Sequence, residues 1–189
     1  MQRRNWLYGP CYQRRAVLGL ALTPFLAGAA RAEDPATKPP LPDDRFVYLT
    51  GPKEGQVVKV DDLELGGPQV QAYPVALDGT VRNESLLNLV ILARFDPAGL
   101  TEETRARAAE GVVGYSGICT HQGCPVNMWS KDLNAFVCSC HGSAYDPKNG
   151  AEVVAGPAPR PLPALGLKVA DGAVAVASTF SGRVGFIQN

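Results

Sequence analysis

Cys119-x-His121 and Cys138-x-x-His141 put one thiol and one imidazole into each of two short segments, separated by 16 residues. Cys124 and Cys140 add a further cysteine to each. Together the two segments take four of the chain's five cysteines and both of its histidines. Thiolate and imidazole are soft and borderline metal ligands, so the first question is what such a set binds. Two disulfides would occupy the cysteines of an exported protein but leave both histidines without a reason to sit beside them. A zinc site of two Cys and two His fits the ligand types, but zinc knuckles pair Cys with Cys and His with His, and two cysteines would be left over. A [2Fe–2S] cluster with two Cys on one iron and two His on the other uses one thiolate and one imidazole from each segment.

The local sequences carry this third reading further. Cys119-Thr-His121-Gln-Gly-Cys124 and Cys138-Ser-Cys140-His141-Gly142-Ser143-Ala-Tyr145 resemble the Rieske iron–sulfur family in its disulfide-bearing, high-potential branch. Gly156-Pro157-Ala158-Pro159-Arg160-Pro161 is similar to the proline loop that covers the cluster in that family. The resemblance spans roughly residues 110–178. It implies that Cys119, His121, Cys138 and His141 bind one [2Fe–2S] cluster, with the cysteines on the inner iron and the histidines on the outer one. It implies a Cys124–Cys140 disulfide tying the two loops, with Ser143, Tyr145, Gly142 and Pro157 around the ligands. Neutral imidazoles make the cluster less negative and so easier to reduce; such centres lie at about −150 to +300 mV against about −400 mV for all-cysteine plant-type clusters. The resemblance also implies that the Ser143 and Tyr145 hydroxyls donate to sulfur and so stabilise the added electron, and the expected potential lies in the upper part of that range.

These loops need a scaffold. The 20 glycines and 16 prolines suggest many turns and little helix. Apolar and β-branched runs at 46–50, 56–60, 69–77, 87–95, 112–118, 135–138, 152–155, 165–170 and 173–178 read as strands. Asp171-Gly172 between the last two is a two-residue hairpin turn. Residues 97–111 read as the one helix, capped by Thr101, with Glu102 and Glu103 early and Arg105 and Arg107 late, as the helix dipole favours. The fold class is therefore all-β, in small antiparallel sheets with one short helix, the cluster held between two loops at one end. The domain runs from 45 to 189, after a Pro-rich acidic linker at 33–44.

The first 32 residues differ in composition. They hold five arginines and no acidic residue, so the rest of the chain has 13 basic and 18 acidic side chains. No basic patch for nucleic acid remains. Arg14-Arg15 precedes an apolar run from Ala16 to Ala30, and Ala30-Arg31-Ala32 has the small-x-small form of a cleavage site. The run is interrupted by Pro24 and is shorter than the roughly 20 residues of a membrane span. The reading is a twin-arginine export signal with a mature start at Glu33, which removes Cys11; the rival is an uncleaved membrane anchor. Either way the domain lies in the periplasm or on the periplasmic face of the inner membrane.

A Rieske domain carries one electron and brings no substrate site of its own. Ring-hydroxylating oxygenases need a second iron held by two more histidines and a carboxylate, and no histidine is left for it. The resemblance thus implies an electron-transfer subunit of an oxidoreductase complex. Cys124-Pro125-Val126, the twin arginine and the short apolar run suit the small subunit of arsenite oxidase, whose partner is a molybdenum enzyme. The alternative is the Rieske subunit of a cytochrome bc1-type quinol–cytochrome c oxidoreductase, beside cytochrome b. Against it stand Gln122, where that type carries Leu, and Ser139, where it carries Pro. Either complex would pass electrons to a c-type cytochrome.

Overall fold

The computed structural model describes residues 34–186. The twin-arginine segment, Cys11 and the expected start at Glu33 lie outside the described residues. Six strands close a barrel in the order β1 (Arg45–Tyr48), β10 (Ala173–Phe180), β9 (Ala164–Ala170), β4 (Val112–Ser116), β3 (Val90–Arg94), β2 (Val70–Val75), every neighbouring pair antiparallel. A second sheet is inserted between β4 and β9. It is a four-stranded antiparallel meander of β5 (Val126–Ser130), β6 (Ala135–Cys138), β7 (Ala144–Asp146) and β8 (Glu152–Ala155). The single α-helix among the described residues, α1 (Glu102–Arg107), lies in the β3–β4 connection. No described helix is long and apolar enough to cross a membrane.

β3 and β4 explain why the chain can carry two sheets. Val90, Leu92 and Val112 point into the barrel core with Phe46, Val58, Leu165, Val174 and Val176. Ile91, Ala93, Val113 and Tyr115, the alternate residues, face a second core with Val126, Phe136, Tyr145 and Leu162. A strand apolar on both faces must be covered on both, and the inserted sheet covers the outer face. Fully burying each such side chain is worth about 1.5–3 kcal/mol, so the insertion is held on by apolar packing along this shared wall.

The Asp171-Gly172 turn is as read: both residues have positive φ, 54° and 75°, and the flanking Ala170 and Ala173 pair. Three expectations are corrected. Residues 56–60 are not a strand. Their alternation is genuine, since Val58 and Val60 are buried, but they fill the seam where β1 and β10 share only one residue pair. Val58 donates to the Phe46 carbonyl (2.8 Å) and accepts from Val174 N–H (3.0 Å). The helix is shorter than 97–111. Pro97–Gly99 forms a separate 3-10 turn, and Thr101 caps α1 by accepting from Thr104 N–H. Residues 110 and 111 both have positive φ, so the chain has already turned into β4. Strands β5 and β7 went unread. β5 has no clean alternation and a register shift after Val126, and β7 is only three residues long.

Residues 34–44, read as a Pro-rich linker, lie along the barrel. Arg82 donates to the Pro35 carbonyl (2.8 Å), Asn88 donates to the Lys38 carbonyl (2.7 Å), and Asp44 pairs with Arg82 in the interior.

Candidate metal centre

The meander decides where the loops go. Val126, the first residue of β5, pairs with Cys138, the last of β6; Ala144, the first of β7, pairs with Ala155, the last of β8. The β4–β5, β6–β7 and β8–β9 connections therefore meet at one end of the small sheet. They are the loop of Cys119 to Cys124, the loop of Cys138 to Ser143, and the proline loop.

The two cysteine loops share one backbone design. In the first, Cys119 N–H donates to the Cys124 carbonyl (2.8 Å) and Gly123 N–H to the Cys119 carbonyl (3.0 Å). In the second, Cys138 N–H donates to the Ser143 carbonyl (2.9 Å) and Gly142 N–H to the Cys138 carbonyl (3.0 Å). In each, the residue four after the first cysteine is a glycine with positive φ, 76° at Gly123 and 71° at Gly142, a conformation that side-chain-bearing residues disfavour. Gly142 has open space around it, so its role is this backbone conformation.

The side chains converge. Cys119 and Cys138 are unpaired with each other and 1% exposed. The His121 and His141 rings meet edge to face, 4.7 Å between centroids. His141 is exposed, and His121 is half-buried with its Nδ1 buried and without a hydrogen-bond partner among the described residues. Cys124 and Cys140 form a disulfide across the loops, Cα atoms 6.6 Å apart, and their sulfurs lie within 4.8 Å of the Cys138 sulfur. Burial pushes the Cys138 thiol up, and the neighbouring Cys119 adds to this. A thiol raised in this way is favoured as thiolate by a bound cation. The donor set fits an iron–sulfur cluster of mixed ligation: two buried thiols, two adjacent imidazoles and one buried ring nitrogen with no other work.

The surrounding groups are placed as follows. The Tyr145 hydroxyl is 3.1 Å from Cys119 Sγ and accepts from Thr120 N–H at 3.3 Å. Burial, followed by the contact with Cys119, pushes its pKa well above the ordinary phenol value, so it keeps its proton. Ser143 is fully buried, and its Oγ accepts from Ala158 N–H (3.1 Å), which leaves its own proton free to donate. Pro157 stands between that Ala158 and Gly156, where the proline loop touches the second cysteine loop. A Cβ on Gly156 would lie 2.5 Å from the Ser143 Cα and 2.7 Å from the Gly142 carbonyl oxygen. Only glycine allows this approach. Thr120 and Arg160 were not singled out from the sequence. Thr120 is buried between Cys119 and His121, and its hydroxyl donates to the Arg160 carbonyl (2.7 Å). Its place inside Cys-Thr-His was the available signal.

The family description "Rieske [2Fe-2S] domain" matches residues 100–169. A putative respiratory nitrate reductase subunit Rieske from Haloferax mediterranei is 31% identical over 167 residues, 87% of this chain and 71% of that protein. A cytochrome bc1 complex Rieske iron–sulfur subunit from Streptomyces lividans is 35% identical over 95 residues, 50% of this chain and 56% of that one. A cytochrome b6-f complex iron–sulfur subunit from Prochlorococcus marinus strain MIT 9515 is 50% identical over 66 residues, 35% of either chain. Against the Streptomyces subunit, the matched region spans little more than half of the relative's length.

Proposed function

The chain belongs to the Rieske [2Fe–2S] family, and from that premise we propose that it is the one-electron iron–sulfur subunit of a larger oxidoreductase complex, with Cys119, Cys138, His121 and His141 holding its cluster. The observation that carries this is the convergence at one sheet end of two buried thiols and two touching imidazoles, with His121 Nδ1 otherwise unpartnered. When bound, the cluster supplies a one-electron couple whose potential the two neutral imidazoles raise. The chain's own residues do the rest. Cys119 and Cys138 would hold the cluster as thiolates. Tyr145 holds a hydroxyl proton at Cys119 Sγ, and Ser143 has one to donate beside Cys138. The disulfide and the proline loop hold both loops together and keep water from the buried side. His141, exposed at the tip, is the edge through which a partner would exchange the electron. We assign no substrate site to the chain itself.

For the partner, the preferred reading is a periplasmic complex of the arsenite oxidase type, with a molybdenum-containing large subunit and a c-type cytochrome acceptor. Gln122 and Ser139, where the bc1 type carries Leu and Pro, favour it. The length of the match favours a complex other than bc1: the relative that aligns over 87% of the chain is a putative respiratory nitrate reductase subunit Rieske, whereas the bc1 subunit aligns over 50%. The bc1 type, with cytochrome b as neighbour and residues 1–32 kept as a membrane anchor, is favoured by the higher identity over the shorter match, 35% over 95 residues. Detergent-free fractionation of the native protein, with its N-terminus sequenced and its companions identified, separates the two. A periplasmic protein starting at Glu33 and bound to a large molybdenum chain is the expected result. Recovery in the membrane with residues 1–32 intact and cytochrome b alongside would replace it by the bc1 reading.

A further inference from the structure

The chain does not end its work at the barrel. After β10 it is fastened at Ser181, whose N–H donates to the Ala164 carbonyl (2.8 Å) and whose Oγ accepts from Ala164 N–H (2.9 Å). Residues 182–186 then run to the first cysteine loop. Gly185 is buried there, facing Leu87 and Ile118. Its carbonyl accepts from the Arg160 guanidinium. The Phe186 ring lies over Gly123: a Cβ on that glycine would stand 3.0 and 3.2 Å from two ring carbons.

Arg160 also reaches the first cysteine loop directly. Its carbonyl accepts from the Thr120 hydroxyl, so one residue of the proline loop is tied both to the C-terminal segment and to the residue between Cys119 and His121. The loop thus has a contact at Thr120, on one side of His121, and a contact at Gly123, on the other. Neither residue touched by the strap is itself an expected ligand. The loop has no strand or helix of its own, and such outer contacts add to the disulfide and the loop's own backbone bonds in fixing its ligands.

We infer that residues 182–186, with Arg160, form a strap that fixes the first cysteine loop, and that Arg160 and Phe186 are positioning residues for His121. The functional meaning of the strap rests on the reading of Cys119 and His121 as cluster ligands. The contacts that make it do not.

The test uses the full-length protein as purified with its cluster, in the unaltered form and as Phe186→Ala, Arg160→Ala and Arg160→Lys. Phe186 is 40% exposed and outside both cores, so its truncation leaves the fold intact. Amide hydrogen exchange is read at Cys119 and Gly123, whose N–H groups close the loop, and at the ladder amides of β3 and β4 as the internal reference. Exchange at the two loop amides is expected to rise about five- to tenfold in both alanine variants with β3 and β4 unchanged, and Arg160→Lys to recover most of the protection by keeping a donor for the Gly185 carbonyl. The midpoint potential and the line shape of the reduced protein's electron paramagnetic resonance signal are expected to change in the alanine variants and return in Arg160→Lys. Loop exchange unchanged in both alanine variants, or rising only in step with β3 and β4, would overturn the strap. The exchange readout does not need the cluster. An unaltered protein without a cluster signal would therefore refute the ligand assignment while the exchange data still judged the strap.

Discussion

Tyr145 offers the cleanest single-atom test of how this chain tunes its electron carrier. Its hydroxyl lies 3.1 Å from Cys119 Sγ, is buried, and keeps its proton because burial and the Cys119 contact both oppose ionisation. Reduction adds negative charge, so a hydroxyl donated to a ligand sulfur stabilises the reduced form. Tyr145→Phe removes that hydroxyl and keeps the ring packed. A net hydrogen bond of about 1 kcal/mol corresponds to about 40 mV for a one-electron couple. The variant's midpoint potential by protein-film voltammetry is therefore expected to fall by about that much, with the cluster retained. A potential equal to that of the unaltered protein would remove Tyr145 from the tuning groups. Ser143→Ala should also lower the potential, but it takes away the acceptor of Ala158 N–H as well. A buried donor left unpaired costs about 1–3 kcal/mol, so this variant should lose thermal stability, and so should Tyr145→Phe, which takes away the acceptor of Thr120 N–H.

At the level of elements, the site is a meeting of three turns, and their contacts are backbone to backbone. Gly156→Ala tests this. The added Cβ would stand 2.5 Å from the Ser143 Cα, and neither atom belongs to a flexible side-chain end. The residue also has φ 82°, which costs any other residue strain. The proline loop must lift, and a destabilisation of about 1–3 kcal/mol is expected, seen as earlier thermal loss of the cluster's visible absorbance while far-ultraviolet dichroism still reports a folded barrel. Loss of both signals together at the unaltered temperature would contradict it. The same element scale shows what a sequence can and cannot display. The Cys-x-His and Cys-x-x-His spacings and the Asp171-Gly172 turn are legible because local chemistry or local φ demands those residues. The buried strands β3, β4, β9 and β10 are legible because a packed wall needs apolar runs. β5 and β7 are not, because their place comes from pairing with β6 rather than from their own pattern. Nor are Arg160 and Phe186, whose partners Gly185 and Gly123 are 25 and 63 positions away along the chain.

For the whole molecule, the question is how the segment that follows residues 1–33 is joined to the domain that carries the site. Asp44 and Arg82 answer it. Arg82 Nε donates to one Asp44 oxygen at 2.6 Å and Nη2 to the other at 3.0 Å, and both side chains are buried. The remaining nitrogen of the fork reaches the Pro35 carbonyl, while Asp44 also accepts from Leu41 N–H (2.8 Å). The backbone on either side of the pair joins the edge of β10, with Asp43 N–H donating to Val176 and Val176 N–H to Asp44. Residues 34–44 are thus part of the barrel rather than a free tether. Removing one partner of such a pair leaves the other charge buried and unpaired, at about 3–5 kcal/mol, whereas replacing both by apolar groups of similar volume restores much of the loss. Arg82→Ala is therefore expected to lose about 3–5 kcal/mol in urea unfolding, and Asp44→Leu with Arg82→Met to regain most of it. The double variant separates global stability from the fastening of residues 34–44. It no longer donates to the Pro35 carbonyl and no longer accepts from Leu41 N–H, so limited proteolysis should cut within 34–40 faster than in the unaltered protein even where global stability has returned. Equal cutting in the two proteins would mean that Asn88, through its bond to the Lys38 carbonyl, holds the segment without help from Arg82.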